Sequence, residues 1–145
     1  MAAAAADDRT AQVVAAPDSP VRLDSAKVLN TGSNPLVLLY AATNTTASPI
    51  EVFTVMVFVF DSEGRLKARQ VAPGRRELAV RETKFSAMVL DVGTIDPTDT
   101  IMAGVDQAQN VGSEAWWRAD LRVIAEAAAD ARRRAVTKAP PPKKN

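Results

Sequence analysis

The chain contains neither cysteine nor histidine. Without cysteine there is no disulfide, no zinc–thiolate site and no thiol nucleophile. Without histidine the commonest metal ligand and the usual general base are also missing. These absences exclude most familiar hydrolase and metalloenzyme constellations, and they place binding or assembly ahead of catalysis. Aromatic residues make up 5% of the chain, too few for an array of sugar-stacking platforms. No segment approaches the roughly 18–20 apolar residues that span a bilayer. The opening Met1-Ala2-Ala3-Ala4-Ala5-Ala6 is too short for a signal-peptide core and has no basic flank. The compartment stays open between cytoplasmic and signal-trimmed extracytoplasmic.

The 145 residues suit one domain plus tails. A hydrophobic fraction of 47% is enough to build a core, although alanine supplies much of it at the two ends. The net charge of +1 conceals an asymmetry. Arg132, Arg133, Arg134, Lys138, Lys143 and Lys144 give the last fourteen residues six positive charges and no acid. The rest holds 12 basic and 17 acidic side chains, a net of −5. A mildly acidic body carries a basic tail.

The strongest local signal is Ile50 to Phe60, in which nearly every residue is β-branched, aromatic or Met. Val52, Thr54, Met56, Phe58 and Phe60 face one way; Phe53, Val55, Val57 and Val59 face the other. Both faces are apolar, so a central strand is expected rather than one with a wet side. Asp61-Ser62-Glu63-Gly64 supplies a hairpin turn, with Gly where positive φ is tolerated.

The same reading places strands at Val21–Leu29, Leu36–Asn44, Arg65–Ala72, Thr83–Val92 and Thr100–Gln109, and a short edge strand or loop at Arg75–Glu82. In Thr83–Val92, Phe85, Ala87 and Val89 oppose Met88 and Leu90. Short strands at this spacing without intervening helices predict an all-β sandwich of about seven strands. After Gly112 the period changes. Ser113 offers an N-cap, and Trp117, Leu121, Ile124, Ala128 and Ala131 form a helical stripe that Trp116 and Val123 widen. The alternative reading makes Ala115 to Arg118 a last short strand before a shorter helix. The expected organisation is an irregular arm (1–20), an immunoglobulin-like β-sandwich (21–110), a C-terminal amphipathic helix (113–134) and a basic Pro/Lys-rich tail (135–145).

Candidate sites are few. Asp91, Asp96, Asp99 and Asp106 are acids that a Ca²⁺ site or a glycosidase pair would need, but their spacing selects neither and favours turn formation. Asn44-Thr45-Thr46 matches a glycosylation sequon, and in a turn its side chains more often bond the local backbone. Trp116 and Trp117 are first expected to cover the open end or one face of the sandwich; the sharper reading makes at least one of them a partner anchor, and a helix lying on a membrane interface is the third. The six basic residues of the tail suit an acidic protein surface or an anionic membrane. Nucleic acid is disfavoured by the absence of interleaved aromatics and by the acidic body.

Leu39 to Leu66 resembles a pattern of small bacterial immunoglobulin-like sandwiches, including FxLyD-type and late-embryogenesis-abundant-type domains. There a strand ends in Asn plus Ser/Thr, an Asn-x-Ser/Thr turn precedes an alternating strand, and Phe-Asp-x-x-Gly makes the hairpin. Asn44, Thr46, Ile50, Phe60, Asp61 and Gly64 match. Arg81 to Phe85 is similar to the Pro-Gly-Glu-Thr-x-x-Phe start of the next long strand, with Val80 and Arg81 in place of Pro and Gly. The resemblance covers about half the chain and implies a fold, not a function. The expected role is a non-catalytic accessory or structural subunit that binds protein partners in a larger assembly through its terminal arms and helix, without cofactor or metal. The alternative is a ligand-binding module for a small molecule or glycan; a hydrolytic enzyme comes third.

Overall fold

Ile50–Phe60 forms the strand on which two separate cores are built. In the computed structural model, which describes residues 9–29, 36–71, 77–117 and 121–138, the strands are β1 (Arg9–Thr10), β2 (Gln12–Val13), β3 (Val21–Leu29), β4 (Leu36–Asn44), β5 (Ile50–Phe60), β6 (Leu66–Val71), β7 (Thr83–Leu90), β8 (Thr100–Asn110) and β9 (Trp116–Trp117). One helix, α1, follows at Leu121–Lys138. The first sheet runs β1-β3-β4-β7 and the second β2-β8-β5-β6, with β9 also on β8. All pairings are antiparallel except β2 with β8. The fold is a β-sandwich with a C-terminal helix. The hairpins β3–β4 and β5–β6 each lie within a single sheet, and the chain crosses between the sheets from β4 to β5.

Between the sheets lie Val21, Leu38, Tyr40, Phe53, Val55, Val57, Met88, Leu90, Ile101 and Val105. The opposite face of β5 carries Phe58 and Phe60, which join Met102, Val14, Leu121, Ala125 and Ala129 in a second core beneath α1. The two phenylalanine rings stack at 6.2 Å. Both faces of β5 are therefore apolar because one packs on a sheet and the other on a helix. Gly104 of β8 lets the helix approach. A β-carbon there would lie 3.0 Å from Leu121 Cδ1 and 3.3 Å from Val14 Cβ.

Two expectations need correction. The arm is not irregular throughout: residues 9–13 clip onto both sheets, β1 on β3 and β2 on β8. The helix starts at Leu121 rather than near Ser113, because Trp116-Trp117 pairs with Gln107 and Ala108 as β9. Its buried stripe is Leu121, Ala125 and Ala129, flanked by Ile124 and Ala128. Ala131, expected in the stripe, and Val123, expected to widen it, are both exposed. The hairpin turn forms as read, with Gly64 at φ 81° and Asp61 Oδ1 accepting the N–H groups of Glu63 and Arg65. Those backbone donors, Arg65 first, hold the Asp61 carboxyl below its ordinary value.

Candidate interaction surface

In the first sheet, β4 and β7 pair with Leu39 opposite Ala87 and Val37 opposite Val89. Leu38, Tyr40, Met88 and Leu90 point into the sandwich. The alternate residues, Val37, Leu39, Ala41, Phe85, Ala87 and Val89, therefore lie on the outer face. Phe85 is 84% exposed, Val89 61% and Leu39 39%. No described residue covers them as α1 covers the second sheet. A shallow depression of about 370 Å³ lies here, lined by Leu39, Tyr40, Phe85, Ala87, Ser25 and Lys27. At one end the surface turns polar, where Thr43 Oγ1 donates to Asp24 and shares a 2.7 Å hydrogen bond with Thr83 Oγ1.

β7 is also an edge strand. Arg81, just before it, has φ 61°, in the left-handed region. Its guanidinium donates to the Thr45 carbonyl, which helps hold that turn. At the other end, Gln70 of β6 reaches across the sandwich. Its Nε2 donates to the Val89 carbonyl at 2.9 Å, and its Oε1 accepts the Asp91 N–H at 2.7 Å.

The residues singled out from sequence separate. Trp116 is partly buried against the inter-sheet core, and its Nε1 donates to Asp18 Oδ2 at 3.1 Å. Both contacts hold it in the fold. Trp117 is 62% exposed and pairs with Gln107 of β8. Arg134 is paired with Asp130 at 2.9 Å. Lys143 and Lys144 lie outside the described residues, as do the side chains of Arg132, Arg133 and Lys138.

The acids act as braces. Asp99 is buried, and its Oδ2 accepts the Asp96 N–H at 2.7 Å and Lys67 Nζ at 2.6 Å. The hydrogen bond to Asp99 is the chief reason Lys67 titrates above its ordinary value. Arg9 donates to the Asp96 and Asp99 carbonyls, tying the arm to the same turn. Asp106 is the extra residue of a bulge opposite Thr54 and Val55. Burial pushes its carboxyl above the ordinary value, against the Thr54 hydroxyl and the Arg69 charge. Among the described residues no group of acids is placed to hold a metal ion, and no helix is long and apolar enough to cross a membrane.

Asn44 is fully buried. Its Nδ2 donates to the Ser48 and Ala79 carbonyls at 2.8 and 3.2 Å, and its Oδ1 accepts the Thr46 N–H and hydroxyl at 2.9 and 2.7 Å. The amide that a glycan would modify is thus sealed in the fold.

Sequence reasoning did not select the Leu39–Phe85–Val89 face. Its signal was present in the apolar character of both faces of the Thr83–Val92 segment, which requires a cover on each side. A search for similarity to protein families, curated proteins and solved structures found no match.

Proposed function

We propose that this chain is a non-catalytic accessory or structural subunit that binds protein, and that its docking surface is the outer face of the first sheet. One observation carries the reading. Two strand pairs are apolar on both faces, but the helix covers only one of them, leaving Phe85 and Val89 bare. Contiguous exposed apolar surface of this kind marks interaction sites. The described part of the arm (9–20) and the helix, first expected to carry binding, are occupied in the fold: Arg9 and Asp18 hold that part of the arm down, and the apolar stripe of α1 faces β5 and β8. The basic tail remains an auxiliary electrostatic attachment. Replacing Phe85 and Val89 by Ser and Thr tests this. The double variant keeps its thermal stability and loses co-purifying protein; undiminished co-purification overturns the assignment.

The 370 Å³ depression beside Tyr40 supports a second reading, a small apolar ligand on the same face. Ligand then raises the melting temperature without added protein, which protein docking does not require.

A further inference from the structure

We propose that the partner on this face is a second copy of the same chain, joined through the β7 edges about a two-fold axis at Phe85. The inference rests on the reading of this face as a protein-binding surface and specifies its occupant.

Alternate residues of a strand direct their N–H and C=O groups to opposite sides. The Glu82 carbonyl accepts Asn44 N–H from β4, so even-numbered residues of β7 point toward β4. The Val89 carbonyl and the Asp91 N–H meet Gln70 instead, so odd-numbered residues point outward. Gln70 occupies the outward groups at 89 and 91, and the Arg81 turn ends the strand on the other side. What stays open among the described residues is the window Thr83, Phe85, Ala87. Its midpoint is Phe85, the most exposed large apolar residue.

A window symmetric about one residue is self-complementary under a two-fold axis. Antiparallel pairing sets Phe85 opposite its mate and Thr83 opposite Ala87, each pair exchanging both backbone hydrogen bonds. The Gln70 contacts remain in place. The two first sheets become one, with an aromatic pair at the joint. One charged side chain, Lys84, stands on this strand, with the Glu82 carboxylate beside it at 4.0 Å. Edge pairing of this type uses main-chain bonds for affinity and side chains for register.

The test is sedimentation equilibrium of the full chain over a wide concentration range, with Phe85→Lys, Phe85→Glu and their mixture. The wild type reaches twice the monomer mass. Each variant alone weakens pairing at least about tenfold, because like charges meet at the axis. An equimolar mixture of the two restores a dimer. A wild type that stays monomeric, a Phe85→Lys variant that still dimerises, or a mixture that does not re-pair overturns the proposal. Ala87→Pro adds a backbone test, since it removes an outward N–H while sparing the bonds to β4. It weakens the dimer, and a dimer undiminished by it overturns the proposal. If that variant does not fold, the charge pair alone decides. A monomeric wild type that still captures protein through Phe85 sinks only the self-pairing, whereas capture indifferent to Phe85 sinks the docking surface itself.

Discussion

Trp116 and Asp18 meet across 98 residues of sequence, the indole N–H donating to the carboxylate at 3.1 Å. The contact ties the N-terminal arm to the strand that precedes the helix. Trp116→Ala is expected to cost about 2 kcal/mol, below the usual cost of a fully buried Trp because this one is partly exposed. Trp117→Ala, one residue on, stays within about 0.5 kcal/mol. Urea denaturation of both variants checks the contrast. Equal losses would contradict the division of roles.

Asn44 closes the β4–β5 turn with both ends of its amide satisfied. Asn44→Ala leaves buried backbone groups unpaired and is expected to cost about 3 kcal/mol. Asn44→Asp is worse, because a carboxylate then faces the Ser48 and Ala79 carbonyls. Expression in a glycosylating host should leave this residue unmodified by mass spectrometry.

The two cores make separable predictions. Val57 lies between the sheets and Phe58 beneath α1. Val57→Asp buries an unpaired charge in the sandwich and unfolds the domain. Phe58→Asp undocks the helix first. Gly104→Val drives a branched side chain into Leu121 and Val14 and costs about 2 kcal/mol. Amide exchange within α1 measures the last two: it accelerates there before it does in β4.

Asp106 sets a pH dependence of known sign. Its carboxyl binds a proton more tightly in the fold than its ordinary value of 3.8 would give. The folded state therefore holds more protons in the window just above that value, and stability falls as pH rises through it. Asp106→Asn removes this dependence. Its melting temperature should exceed that of the wild type at neutral pH, with the gap closing below pH 3.8. Lys67 acts in the same direction at the alkaline end. Its bond to Asp99 stabilises below its ordinary value of 10.5 and is lost as pH rises through the higher folded value.

Alternation and turn residues made most of the sandwich readable. Ile50–Phe60, Asp61–Gly64 and the β3, β4, β7 and β8 segments follow directly from period-two patterning. The arm was hidden because strands of two residues carry no period. The helix start was misplaced because Ser113-Glu114 mimics a cap, while Trp116-Trp117 fits a strand as readily as a helix. The exposed face was hidden for a different reason. Alternation assigns Phe85 and Val89 to one side and Met88 and Leu90 to the other, but when both are apolar it does not say which is covered. Only the position of α1 decides that.

The central claim is that contact with other protein occurs on the first sheet and not on the helix. A photo-crosslinking residue at Phe85, compared with one at Val123, which is 64% exposed on α1, tests it most directly. The account predicts covalent protein adducts from position 85 and none from position 123. Adducts from position 123 with none from position 85 would contradict it.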